Sequence, residues 1–215
     1  MTKPVVIGAG YSVYVRIVQL ALEEKGVDYD HEPIDIFDRD GLPLDYLAIH
    51  PFGKIPAFNC HGRSIIETSA IVRYIDAAFD GPSLTPADIL DRARVDQIIS
   101  ILDAYAYQSM VWNVFVESVE IPKRGQPADQ NKIASGLSTA ARCMGAVNRI
   151  RDVDEFMVGD QISLADLYAA PIIDRFVATE PGRDMINSDS RWHDWWQAMA
   201  ERPSYRQVIT AQADD

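Results

Sequence analysis

The chain has 215 residues, enough for one large domain or two small ones with a buried core. Its hydrophobic content of 47% and charged content of 24% are ordinary for a soluble globular protein. The formal net charge of −12 argues against nucleic acid and anionic membranes as partners, because both select basic surfaces.

Neither a targeting signal nor a metal motif stands out in the sequence. The N-terminus has no basic-then-apolar signal, and no apolar run approaches the length of a membrane-spanning helix. Cys60 and Cys143, the two cysteines, lie too far apart to suggest a disulfide framework or a metal site. We therefore expect a cytoplasmic protein without a bound metal.

The first 36 residues predict a strand, a helix and a second strand. An apolar run at 4–7 is typical of a buried strand. Residues 12–25 then have a helical pattern, with Ser12 suited to the N-cap and Gly26 to the position after the last turn. Most of that helix is apolar, so we expect it to be covered on more than one side. Residues 27–36 predict a second strand, and the short helical crossover implies that the two strands are parallel.

The next stretch begins with an acidic loop and a short helix at 44–49. Two short strands are predicted at 55–58 and 63–66, and a helix follows them. Pro56 would remove a ladder hydrogen bond from its strand, so it belongs at an edge, a bulge or a cis bond. We predict that the Ile55–Pro56 bond is cis.

The helix after these strands opens with an acid and two hydroxyl residues, Glu67, Thr68 and Ser69. They lie beside backbone N–H groups that have no partner within the helix. Such a helix N-terminus is a ready anion site. The stretch 51–79 therefore predicts half of a small-ligand site.

The segment 80–86 contains two prolines and a glycine and predicts a domain boundary. Beyond it only helical patterns occur, at 87–117, 128–151, 163 onward, 190–199 and 204–211. Ser163 and Asp166 have the spacing of a capping box, which we interpret as a structural device.

The chain resembles the cytosolic glutathione transferases across nearly its full length. Four motifs, in order around a proline-rich linker, support the resemblance: residues 11–16 with 21–26, residues 51–57, residues 67–71 and residues 159–166. The resemblance is to serine-type, bacterial-like members, with the class left open. It implies an α/β thioredoxin-like N-terminal domain at 1–80 and an all-α C-terminal helical domain at 87–215, which forms the second-substrate pocket.

The resemblance also implies that Ser12 is catalytic and contacts the glutathione sulfur, although it could simply cap the helix. Tyr11 and Tyr14 compete for the role, with Tyr14 placed by its apolar helix in the core. No cysteine occurs between residues 4 and 25. A thioltransferase that uses a cysteine nucleophile there is therefore disfavoured.

Five residues are expected to bind glutathione. The Ile55 backbone, next to the cis Pro56, would pair with the cysteinyl unit. Lys54 would meet the glycine carboxylate or remain solvated. Glu67 and Thr68 would hold the γ-glutamyl end.

The second substrate is assigned to Tyr11, Tyr107 and Met110. Tyr107 and Met110 share a stripe of the long helix with Asp103 and Val114, at α-helical spacing. Such a stripe is more often core, but in the family this helix usually lines the electrophile pocket.

Two functions are consistent with the resemblance. The first is a glutathione transferase that activates the glutathione co-substrate for attack on a small apolar electrophile in detoxification, with isomerase, dehalogenase or peroxidase variants open. The alternative is a non-catalytic binding or assembly module. The family also implies a homodimer, into which Phe52 could insert as a surface aromatic.

Overall fold

The computed structural model describes residues 3–38, 41–151 and 155–210. It divides into two compact units, one comprising residues 1–84 and 202–215 and the other residues 85–201. Within the described part of the chain, no helix is long and apolar enough to cross a membrane.

The first unit contains both strands and helices, whereas every described element of the second unit is helical. One of them, π1, is wound as a π-helix. In chain order they are β1 (Val5–Ile7), α1 (Val13–Lys25), β2 (Asp30–Glu32), α2 (Leu44–Ile49), β3 (Ala57–Cys60), β4 (Arg63–Ile66), α3 (Thr68–Ala78), α4 (Ile89–Ile101), π1 (Leu102–Glu120), α5 (Ile121–Lys123), α6 (Gln130–Ile150), α7 (Leu164–Val177), α8 (Glu180–Asn187), α9 (Ser190–Glu201) and α10 (Pro203–Thr210).

The first unit contains a four-stranded sheet in the order β2-β1-β3-β4. The pair β1–β2 is parallel, as the short helical crossover predicts, while β1–β3 and β3–β4 are antiparallel. This mixed sheet with its helices confirms the thioredoxin-like α/β fold, and the helical second unit confirms the all-α domain.

Helix α1 begins and ends where its caps predict. Ser12 is the N-cap, and its Oγ accepts a 3.5 Å hydrogen bond from the Val15 N–H. Gly26 ends the helix in the left-handed conformation, at φ 66°. Ten of the 13 helical residues are buried, which agrees with the expectation that α1 is covered on more than one side.

Two strands differ from their predicted bounds. β2 has three residues rather than the ten of the run 27–36. β3 begins at Ala57 rather than Ile55, because Pro56 has no N–H to donate to the ladder. The hairpin turns at His61 and Gly62, whose positive φ angles of 52° and 74° suit a tight two-residue turn.

The predicted long helix after the linker is α4 continued by π1. Asp88 caps it by accepting from the Leu90 and Asp91 N–H groups, at 2.8 and 3.1 Å. In a π-helix each N–H bonds five residues back, so residues at α-helical spacing no longer share a face. Accordingly Asp103 is exposed while Met110 is buried, and the stripe predicted from α-helical spacing is not a single face.

Helix α7 begins with the predicted capping box. The Asp166 carboxylate is fully buried and accepts from the Ser163 N–H at 2.9 Å. It also accepts from the Met157 N–H at 2.8 Å and from Trp195 Nε1 at 2.9 Å. One acid therefore fastens the start of α7 to the preceding loop and to α9.

Helix α10 groups by its contacts with the first unit, although the sequence pattern assigns it to the helical domain. Glu24 on α1 accepts two hydrogen bonds from the Arg202 guanidinium, at 2.9 and 2.8 Å. Ser204 donates to the same carboxylate. The start of α10 is thus attached to α1.

Candidate functional site

Three loops meet at one end of the four-stranded sheet. Ile7, the last residue of β1, pairs with Ala57, the first residue of β3. Ala57 in turn pairs with Ile66, the last residue of β4. The residues that follow β1, precede β3 and follow β4 therefore lie at the same sheet end. These residues include Ser12, Lys54 to Pro56, and Glu67 with Thr68, so the structure brings the predicted glutathione residues together.

Gly8 allows the loop after β1 to approach the loop before β3. It has φ 146°, and a Cβ atom placed on it would lie 2.9 Å from the Ile55 Cβ and 2.7 Å from a Val15 methyl carbon. Only a residue without a side chain fits there. This close approach was not predicted, although a glycine directly after a buried strand is a signal of it.

Ser12 lies at the N-terminus of α1, at this sheet end. Its side chain is half-buried, and its own N–H bonds the Ala9 carbonyl at 3.0 Å. The Oγ accepts a hydrogen bond from the Val15 N–H at 3.5 Å. Because the Oγ is the acceptor in this bond, its own hydroxyl hydrogen can still be donated to a ligand. The positive end of the helix dipole favours an anionic ligand atom at this position.

The Tyr11 hydroxyl is engaged elsewhere. It donates to Asp35 Oδ1 at 2.6 Å, and the Tyr11 ring stacks on Phe37 with centroids 6.3 Å apart. Tyr14 is half-buried on α1. The Ser12 hydroxyl lies at the start of α1 and, unlike the Tyr11 hydroxyl, does not donate to the Asp35 carboxylate.

The Ile55–Pro56 peptide bond is cis, as predicted. Both residues are buried, and the preceding carbonyl of Lys54 accepts from the Tyr46 hydroxyl at 2.5 Å. Burial raises the pKa of Tyr46 to about 12, so this hydroxyl remains a donor at neutral pH. The Lys54 side chain itself is exposed and can reach a ligand.

Glu67 and Thr68 begin α3 in an unusual conformation. Glu67 is the N-cap at φ 69° and ψ 111°, and its exposed side chain makes no capping hydrogen bond. Thr68 is 8% exposed. The Ala70 and Ile71 N–H groups bond the Glu67 carbonyl, at 2.9 and 3.0 Å. Because no side chain caps α3, the N–H groups of Thr68 and Ser69 remain available to an anion.

His50 was missed by sequence reasoning and lies near the same charges. It is 2% exposed and ends α2. Burial lowers the pKa of His50, the negative charge of Glu67 opposes this effect, and the positive charge of Lys54 adds to it. The only sequence signal is its position directly before the motif 51–57.

Tyr107 and Met110 belong to the second unit, on π1. Met110 is 1% exposed, and Tyr107 is half-buried, with its pKa raised by burial. Across the described residues, no group of three or more His, Cys, Asp or Glu side chains could hold a metal ion.

Two family models match the chain. The model of the glutathione S-transferase N-terminal domain matches residues 6–83, and that of the C-terminal domain matches residues 123–203. The two matches together cover most of the chain.

Curated and solved relatives match the chain over most of its length. Glutathione S-transferase F10 of Arabidopsis thaliana is 29% identical over 191 residues, which cover 88% of each chain. The crystal structure of glutathione transferase F2 from Populus trichocarpa has a TM-score of 0.88 and 27% identity, over 99% of this chain and 100% of that one. A glutathione S-transferase-I structure bound with lactoylglutathione has a TM-score of 0.85 and 25% identity, over 97% of this chain and 99% of that one.

The relatives correct one expectation from the sequence. The two source organisms named above are plants, so the bacterial-like label is not supported.

Proposed function

Because this chain belongs to the glutathione transferase family, we propose that it conjugates glutathione to a small apolar electrophile, with Ser12 activating the thiol. One observation supports this proposal above the others. The N-termini of α1 and α3 and the cis-proline loop lie at the same sheet end, where an extended tripeptide can contact all three.

Glutathione is proposed to lie across that end as an extended peptide. Its γ-glutamyl group would lie at the start of α3, where the Thr68 N–H and hydroxyl can donate to the α-carboxylate and the Glu67 carboxylate can accept from the amine. Its cysteinyl backbone would pair with the backbone of Ile55. Ile55 lies before the start of β3, so its backbone groups are not part of the β3 ladder. Its glycine carboxylate would meet the exposed Lys54 ammonium.

The sulfur would then lie at the start of α1. A free thiol has a pKa of about 8.5, so only a small fraction is thiolate at neutral pH. A hydrogen bond from the Ser12 hydroxyl and the positive end of α1 both favour the anion. The Tyr11 hydroxyl, held by Asp35 at 2.6 Å, is less suited to this role.

We propose that the electrophile binds beside Tyr11. Tyr11 is 45% exposed at the residue next to Ser12. The burial of Met110 favours its interpretation as a core residue. Of the two residues of π1 that were predicted to contact the electrophile, Tyr107 is therefore the better candidate. Conjugation, isomerisation, dehalogenation and peroxide reduction all begin from the same thiolate.

The proposal includes a homodimer in the cytoplasm. Phe52 is 72% exposed and has its ring edge against His50, which supports its insertion into a partner. Cys60 and Cys143 are free and buried, and free thiols suit a reducing compartment.

The experiment is turnover of glutathione with a generic aryl halide, alongside retention on immobilised glutathione. We expect both. Retention without turnover of any tested electrophile would support the binding module instead, and loss of both would contradict the proposed site.

A further inference from the structure

Tyr11 and Phe37 form an aromatic pair at the sheet end that carries Ser12. Their centroids are 6.3 Å apart and their planes differ by 22°, which is within the range of offset stacking. The side chains are 45% and 58% exposed, so the pair presents ring surface outward. Two large rings exposed together are typical of a binding surface, whereas single exposed apolar residues are ordinary.

One carboxylate oxygen fixes both rings. Asp35 Oδ1 accepts from the Tyr11 hydroxyl at 2.6 Å and from the Phe37 N–H at 2.8 Å. It therefore holds one ring through its side chain and the other through its backbone. We call these three residues the Asp35 platform.

The Asp35 platform lies close to the proposed thiolate. Tyr11 and Ser12 are consecutive, so their Cα atoms are about 3.8 Å apart. Because Ile7 pairs with both Glu32 and Ala57, the loop after β2 emerges at the sheet end where the glutathione residues gather.

Building on the proposed conjugation reaction, we propose that Asp35 determines electrophile specificity. It positions Tyr11 and Phe37 so that a flat, electron-poor ring stacks beside the sulfur, and its negative charge disfavours electrophiles that carry an anionic group. In the reaction, the thiolate forms a C–S bond to the ring, the C–Cl bond breaks, and chloride leaves with the electron pair. The thiol proton has already passed to solvent.

The charge preference is tested with two electrophiles that differ in one group, a chlorodinitrobenzoate and its neutral amide. In the parent, the ratio of kcat/KM for the amide to that for the benzoate should exceed the ratio of their uncatalysed rates. Asp35→Asn removes the charge and keeps an oxygen for the Tyr11 hydroxyl. It should shift the ratio of the two kcat/KM values toward the benzoate by about threefold, the effect expected of one like charge across a solvated site.

A matched control is Asp80→Asn, which removes an exposed carboxylate in the linker. It should leave the ratio at the parent value. An unchanged ratio in Asp35→Asn, or an equal shift in both variants, would overturn the charge preference.

Stacking is tested by calorimetry without turnover. Phe37→Leu should weaken binding of an S-aryl glutathione conjugate by about three- to tenfold relative to S-methylglutathione, and Phe37→Tyr should restore it. If Phe37→Leu changed the affinity for the two ligands by the same factor, the stacking role of the Asp35 platform would be overturned, but the proposed function would not. A parent that binds neither ligand would instead overturn the proposed function, and the inference with it.

Discussion

Glu67 has a backbone conformation that costs a non-glycine residue about 1–3 kcal/mol. Its side chain makes no capping hydrogen bond within the described residues, so the conformation does not serve to cap α3. Strain of this kind persists at sites where a ligand is held. The geometry therefore favours Glu67 and Thr68 as ligand contacts.

We expect Thr68→Ala and Glu67→Gln each to weaken glutathione binding. A hydrogen bond to a charged group contributes about 1.5–3 kcal/mol, or roughly ten- to a hundredfold in affinity. For Thr68→Ala the backbone N–H remains, so we expect the lower end of that range. Isothermal titration with glutathione is the measurement.

Two further variants separate ligand contact from general damage. Thr68→Ser keeps the hydroxyl and should bind like the parent. Ser64→Ala removes an exposed hydroxyl on β4 and should have no effect. Parent-like binding by both Thr68→Ala and Glu67→Gln would place the glutathione site elsewhere.

At the residue scale, the sequence predicted contacts that lie within one motif and missed those between distant segments. Ser12, Pro56 and Glu67 each stand beside their own helix cap or turn. The bond from Tyr11 to Asp35 joins residues 24 positions apart, and no local pattern indicates it. The register of β1 with its neighbours is what brings these loops together.

Single helices were predictable where their caps are local. Ser12 and Gly26 bracket α1, and Ser163 with Asp166 starts α7. Helix α8 was missed because Pro181 and Gly182, a dipeptide typical of turns, lie in its first turn. The π-helical winding of π1 was not predictable either, since the amphipathic pattern was interpreted with α-helical spacing.

We expect Asp166→Asn to destabilise the protein by about 2–5 kcal/mol. The amide has one acceptor oxygen where the buried carboxylate has two. Either the Met157 N–H and Trp195 Nε1, which share Oδ1, or the Ser163 N–H, which bonds Oδ2, would therefore lose its acceptor. Urea unfolding is the measurement. Asp160→Asn, an exposed acid in the same loop, should unfold like the parent; a similar loss in both variants would contradict the role of the capping box.

At the scale of the whole molecule, the order of strands and helices was predictable from hydrophobic periodicity and turn residues. The assignment of α10 to the first unit was not, because it depends on Glu24 reaching Arg202, 178 positions away. Assembly is likewise a property of the whole molecule, and Phe52 is its most direct probe.

We expect the parent to sediment as a dimer at micromolar concentration. Phe52→Ser should raise the dimer dissociation constant by about thirtyfold or more, since a buried aromatic anchor contributes about 2 kcal/mol or more. Leu44→Ser removes another exposed apolar side chain and is the control. A monomeric parent would contradict the dimer, and a dimeric Phe52→Ser would contradict only the role of Phe52.

The central claim is that Ser12 stabilises the glutathione thiolate. Its most direct test is the ultraviolet thiolate band of bound glutathione, titrated with pH in the parent, Ser12→Ala and Tyr11→Phe. In the parent we expect the thiol pKa to lie about two units below its free value. Ser12→Ala should bind glutathione nearly as well, raise that pKa toward the free value and reduce turnover by about ten- to a hundredfold, with a smaller effect from Tyr11→Phe. Loss of the band in Tyr11→Phe, with the band unchanged in Ser12→Ala, would contradict the claim and make Tyr11 the activating residue.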